Sequence, residues 1–136
     1  MRSLPLLIIA MLMAACTSPP KARPVATFTG DYIDARKDGT VRIMSVHKEP
    51  LHVPVYLLEH DIAASAVVAF MVETDGRTSE VQIVSTTDDE FAEAVRESVL
   101  GWRYAPPMKD GTPVRVVLEE SVSYRYNRDP RYYGIP

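Results

Sequence analysis

Apolar and polar positions follow several distinct rhythms along this chain, and each rhythm predicts an element. The clearest stretch runs from Ile62 to Glu73, where Ala66, Val67, Val68, Ala69, Phe70, Met71 and Val72 follow without a polar break. A run this short and β-branched predicts a strand covered on both faces. Thr74-Asp75-Gly76-Arg77 ends it, with Asp-Gly supplying the positive φ of a tight hairpin turn, and Val81-Gln82-Ile83-Val84 predicts the returning strand. Thr87 then offers a hydroxyl N-cap with Glu90 three residues on, and the acidic side chains around it suit the start of a helix. Phe91, Val95, Val99 and Trp102 recur at four- and three-residue steps, so the helix carries an apolar stripe that must pack on the hairpin. Ala105-Pro106-Pro107 stops it, and Lys109-Asp110-Gly111-Thr112-Pro113 turns the chain into a last strand over Val114 to Tyr126. There Val114, Val116, Leu118, Val122, Tyr124 and Tyr126 share one face, interrupted only by Glu120. Arg115, Glu119, Ser121, Ser123 and Arg125 share the other, which is expected to meet water.

The pattern upstream is weaker. Tyr32-Ile33 is followed by a turn at Lys37-Asp38-Gly39-Thr40 and by Val41 to Val46, an additional strand with Val41 and Ile43 on one face. From Thr17 to Thr29 the chain carries Pro19, Pro20 and Pro24 among small and basic residues, which reads as an extended tether. Fully extended, it reaches roughly 45 Å at about 3.5 Å per residue.

The first sixteen residues follow a different logic. Met1 and Arg2 precede an apolar stretch from Leu4 to Met13, and Ala14-Ala15-Cys16 closes it, the layout of a bacterial export signal. The stretch is short of the ~20 apolar residues a spanning helix needs. Small residues directly before a cysteine resemble the lipobox of bacterial lipoproteins, which implies lipidation of Cys16 and cleavage before it. Met13 stands where that pattern usually has leucine, with Leu12 one place further back, so ordinary cleavage stays open. So does a buried free cysteine in an unprocessed protein, though the abrupt polar end at Thr17 disfavours it. Acyl chains such as palmitate contribute about 0.8 kcal/mol per buried CH₂, so more than one would anchor the protein without a spanning segment. The organisation expected is a signal peptide over 1–15, a flexible tether over 16–30, a lead-in over 31–61, a folded domain over 62–126 and a tail over 127–136.

Composition narrows the function classes. The net charge of −3 becomes one unit more acidic once Arg2 is removed, which gives no footprint for nucleic acid. Cys16 is the one cysteine, so no internal disulfide forms. His47, His52 and His60, spaced by five and eight, share no helical face and are expected as surface or capping residues rather than metal ligands. No Ser/His/Asp or Cys/His arrangement and no glycine-rich phosphate loop points to an enzyme, and no cofactor is expected.

The apolar strand, the Asp-Gly turn, the strand ending in Val84-Ser85 and the acid-capped helix with Ala92 and Ala94-Val95 come in a fixed order. Trp102-Arg103-Tyr104-Ala105-Pro106 and Asp110-Gly111-Thr112-Pro113-Val114 complete it. Together they resemble the C-terminal domain of the TonB family over roughly residues 54 to 126. The resemblance implies an α+β fold, a ββαβ unit whose three-stranded antiparallel sheet carries the helix on one face. Phe70, Phe91, Val95, Trp102 and Tyr104 are then its structural core. It also implies that the last strand pairs with an extended segment of a periplasmic or outer-membrane protein, so that Val114, Arg115, Val116, Val117, Leu118 and Glu119 form a partner-binding edge. The alternative is that Arg115, Glu119 and Arg125 only keep a solvated edge from aggregating. The tail, with Tyr132 and Tyr133, is a competitor for the same edge. A motor-coupled TonB protein has a transmembrane helix and a long proline-rich spacer, whereas this chain offers a lipid signal and a short tether. Tyr56 lacks the proline that commonly follows the tyrosine in the family's lead-in. These departures favour a lipid-anchored binding module over an energy transducer, and Thr17, being no aspartate, points by resemblance to lipoprotein sorting rules to the periplasmic face of the outer membrane. Oligomeric state stays open.

Overall fold

The computed structural model describes residues 19–126. Three long strands carry it: β4 (Ala64–Val72), β5 (Thr78–Thr86) and β9 (Val116–Tyr124), with β4 in the middle and antiparallel to both neighbours. Helix α2 (Asp89–Leu100) packs on one face, against β5 and β4. This is the α+β arrangement the sequence predicts. The hairpin turn closes with the Glu73 amide on the Arg77 carbonyl (2.8 Å) and the Gly76 amide on the Glu73 carbonyl (2.9 Å). Gly76 has φ 85, and a Cβ there would stand 1.9 Å from the Tyr104 carbonyl oxygen, so both its conformation and its contact require glycine.

Two short strands extend the sheet. Strand β1 (Lys21–Ala22) pairs antiparallel with the end of β5, and β2 (Ile33–Asp34) pairs parallel with the start of β9, giving the order β1-β5-β4-β9-β2. Residues 19–30, expected as a free tether, therefore lie along the domain. The Arg23 amide donates to the Val84 carbonyl (2.8 Å), and the Gln82 side chain takes the Ala26 amide (2.7 Å) and returns a bond to the Ala26 carbonyl (3.0 Å). Past Ala26 the chain crosses the face opposite the helix, where Phe28 is buried against Ala69, Met71 and Val117, with Tyr32 and Val84 beside them. The extended backbone is as expected, but it is held as a strap. The strap covers that face of β9 only at its start, where Val117 is fully buried beneath it and Arg115 is half-buried; Glu119, Ser121, Ser123 and Arg125 are exposed, as expected.

On the helix side Val68, Phe70 and Val72 of β4 meet Phe91, Val95 and Val99 of α2, all buried. Trp102 stands edge-on to Phe70 (centroids 5.8 Å, 88° between planes), and Tyr104 lies 6.0 Å from the same ring. Burying each such side chain is worth about 1.5–3 kcal/mol, so this face supplies most of the cohesion. The Thr78 hydroxyl donates to the Val99 carbonyl (2.6 Å), satisfying one of the last carbonyls of the helix.

Several boundaries differ from expectation for local reasons. The N-cap of α2 is Asp88, not Thr87: the Asp88 carboxylate accepts from the Phe91 amide (2.8 Å), while the Thr87 hydroxyl accepts from the Ser65 amide (2.9 Å). Strand β9 begins at Val116 rather than Val114, whose amide is spent on the Pro107 carbonyl (2.8 Å). Strand β5 contains two bulges, opposite Val67/Val68 and Ala69/Met71, and Glu80 in the second takes φ 48.

The lead-in contributes β3 (Ser45–His47), paired with β6 (Arg103–Tyr104) in a separate small sheet. Val41 is buried and Ile43 packs on the helix-side core. Pro54-Val55-Tyr56-Leu57 begins a helix, α1 (Val55–Glu59), that the pattern does not predict. The remaining strands, β7 (Met108–Lys109) and β8 (Thr112–Pro113), form a hairpin whose Asp110 and Gly111 both have positive φ.

Candidate partner-binding edge

Strand β9 is where a further strand could be added, and its two halves differ. At the first half the Ile33 amide donates to the Arg115 carbonyl (2.8 Å) and the Ala35 amide to the Val117 carbonyl (3.0 Å). Odd-numbered residues thus turn their backbone groups away from β4. The alternation of a strand carries that phase on through Glu119, Ser121 and Ser123. Among the described residues no strand pairs with β9 on that side beyond Val117. The chain leaves at Asp34, whose carbonyl accepts from Lys37 and Asp38 in a turn.

The expected edge residues therefore separate. Val114 and Arg115 line a hollow with Asp31, Tyr32 and Ile33. Val116 and Val117 are fully buried and already paired with β2. Leu118 and Glu119 begin the open half, which continues past the expected stretch to Ser123.

Arg115 closes the strap. Its guanidinium donates to both carboxylate oxygens of Glu73 (2.7 and 3.1 Å) and to the Thr29 carbonyl (2.6 Å), and it lies 3.6 Å from Glu80. Glu80 in turn accepts from the Thr29 amide (2.9 Å) and the Thr29 hydroxyl. The Arg115 bonds, with help from Ser79, hold the Glu73 carboxyl below its ordinary range, and the Thr29 bonds do the same for Glu80.

Glu120, the acid that interrupts the apolar face of β9, turns towards the helix side and is held there by two donors. Lys48 Nζ reaches it at 2.6 Å and the Tyr104 hydroxyl at 3.1 Å. Burial, reinforced by the Glu120 charge, raises the Tyr104 pKa and keeps the phenol a donor. Lys48 also sits 4.4 Å over the Trp102 ring, whose indole nitrogen donates to Ser98 Oγ (3.2 Å). One lysine thus ties the lead-in to the open half of β9. The sequence signal for this was the lone glutamate on an apolar face, and its partner lies 72 residues away.

The other candidate residues lie elsewhere. Phe70, Phe91, Val95, Trp102 and Tyr104 are buried in the helix-side core. His47 contacts Glu49 (3.1 Å), and the His60 ring reaches the Tyr56 carbonyl (2.9 Å) at the end of α1. His52 is exposed. Among the described residues no group of three or more His, Cys, Asp or Glu could hold a metal ion, and no helix is long and apolar enough to cross a membrane. Cys16 and the tail lie outside the described residues.

The fold is similar to the solution structure of the Pseudomonas aeruginosa TonB C-terminal domain, with 20% identity and a TM-score of 0.50. The match covers 68% of this chain and 94% of that one. No curated protein matches the chain. The family model described as Gram-negative bacterial TonB protein C-terminal matches residues 53–126, from the approach to α1 through the end of β9. Since that span is more than half of the sequence, the chain belongs to the TonB C-terminal family, whose members serve TonB-dependent transport and protein interaction in the bacterial envelope.

Proposed function

We propose that this protein is a lipid-anchored, non-enzymatic module of the periplasm that takes up an extended segment of a partner protein as a strand added to β9. The partner pairs with the open half, from Leu118 towards Arg125, and Cys16 carries the lipid that holds the module at the periplasmic face of the outer membrane. The observation that carries this reading is the phase of β9: Glu119, Ser121 and Ser123 aim backbone donors and acceptors where no described strand takes them. Main-chain hydrogen bonding supplies affinity in such pairing, and alternate side chains supply selectivity.

Family membership favours a narrower role, as an accessory component of TonB-dependent transport whose partner is an outer-membrane transporter. Titration of ¹⁵N-labelled protein with peptides from the periplasmic ends of such transporters separates the two. Amide shifts confined to residues 118–125 support the transport role. Shifts there with other envelope peptides alone support the general one, and shifts that avoid β9 altogether overturn strand addition. For the anchor, Cys16→Ser should yield an unprocessed or detergent-insensitive soluble protein. Unchanged mass and partitioning of that variant would sink it.

A further inference from the structure

Three apolar side chains stand in water at one pole of the molecule. Val55 and Leu58 share the outer side of α1 and are 64% and 44% exposed, whereas Leu57 on the inner side is fully buried. The helix ends at His60, Asp61 takes φ 53, and the Ile62 amide turns back to the Leu57 carbonyl (3.0 Å). This closing geometry brings Ile62, 45% exposed, alongside the last turn. The platform is held in place, because the Tyr56 hydroxyl donates to the same Asp88 carboxylate that caps α2.

The chain enters at this pole. Pro19 and Lys21 line one hollow with Tyr56 and residues 86–90, and Lys21–Ala22 pair with Ser85–Thr86. Cys16 precedes Pro19 by three residues, a reach of about 10 Å at ~3.5 Å each. With the strap in place, a lipid on Cys16 cannot let this pole move far from the bilayer.

We infer that the face formed by Val55, Leu58 and Ile62 rests in the interface of the bilayer that receives the Cys16 lipid, so that the domain is docked on the membrane in a fixed orientation. The inference rests on the proposed lipidation of Cys16. Charge marks the contact as apolar rather than electrostatic: exposed Glu59, Asp61, Asp89 and Glu90 outnumber Lys21 and Arg23 at the pole, and Arg23 is already engaged by Asp89 (2.7 Å). Other large apolar side chains exposed to at least about this degree, Met44, Val46, Leu100 and Met108, lie at β3, the end of α2 and β7, where no membrane-linked chain enters. Docked this way, the Tyr124 end of β9, which pairs with Ala64 next to α1, lies nearest the membrane, and the open half runs away from it.

Once Cys16 is acylated the protein has no free thiol, so Leu58→Cys and Val46→Cys each create a single labelling position in the full-length lipoprotein. In phosphatidylcholine vesicles with brominated acyl chains, an environment-sensitive dye at position 58 should be quenched about threefold more than one at 46, as expected for a group 5–10 Å into the headgroup boundary. Equal quenching in protein that carries the acyl mass and floats with the vesicles overturns docking and leaves the anchor standing. A protein without acyl mass that does not float overturns both. A dye at 58 that is shielded from aqueous iodide yet untouched by brominated lipid means that a second copy or residues 127–136 cover the face, which also overturns the inference.

Discussion

The two faces of the sheet are covered by opposite strategies. On the helix side a continuous apolar layer joins α2, Trp102 and Tyr104 to β4, built by residues close in sequence and spaced at helical and strand periods. On the other side Phe28, with Tyr32 edge-on beside it, covers Ala69, Met71 and Val117, and an Arg115–Glu73–Glu80–Thr29 cluster fastens the crossing strap. The first face is a core that defines the domain. The second is a clasp, held at a few points and placed against both outer strands. The contrast predicts that the clasp opens without the core dissolving.

The heaviest test falls on the core. Trp102→Ala should cost about 3–5 kcal/mol, enough to unfold much of a domain this small, read as a collapse of the thermal midpoint. Stability equal to the parent would break the comparison at its stronger end. Phe28→Ala should cost less, about 3 kcal/mol at the lower end of the same range, because its cluster is small and lies under a single strap. Hydrogen exchange should then show Ile33 and Ala35 losing protection while the β4–β9 amides keep theirs. Uniform loss would mean that clasp and core are one cooperative unit.

Asp88→Ala removes the α2 cap and the acceptor for Tyr56 together. A loss of roughly 1–2 kcal/mol is expected from the cap, measured by urea unfolding, with local exchange spreading from Phe91 into α1 rather than into the strap. The smallest effect is the dependence of the clasp on pH. Glu73 and Glu80 both titrate below the ordinary value of 4.5 in the folded protein. Their contribution is therefore complete above pH 4.5 and is lost as pH falls through their depressed folded values. Phe28 ring signals should shift below pH 4.5 before the Trp102 indole signal does. Simultaneous change would remove the distinction between the two faces.

The same contrast explains what could be read from sequence. The β4–β5 hairpin and α2 were legible because their determinants are local: Asp75-Gly76 makes the turn, and Phe91, Val95 and Val99 recur at helical spacing. The strap was not legible, because the partners of Ala26 and Thr29 lie 56 and 51 residues away and an extended proline-rich segment reads alike whether tethering or strapped. The burial of Val117 was not legible for the same reason, being supplied by Phe28. The choice between Thr87 and Asp88 as cap turned on Ser65, which lies 22 residues from Thr87 and draws the Thr87 hydroxyl away. Of the candidate edge, the strand itself was legible. Which half stays open depends on β2, a contact with no signature beyond Tyr32-Ile33.

The parallel course of β2 has a consequence for selectivity. Because the strap leaves the sheet at Asp34 through a turn, a strand laid along β9 meets the chain's own backbone as an end-stop. From Leu118 to Tyr124 the track is about 23 Å at ~3.3 Å per residue. Under the proposed strand addition it would work as a gauge: the incoming segment would be measured by where it must end as well as by its side chains, and a longer one would have to bend away or lift the strap.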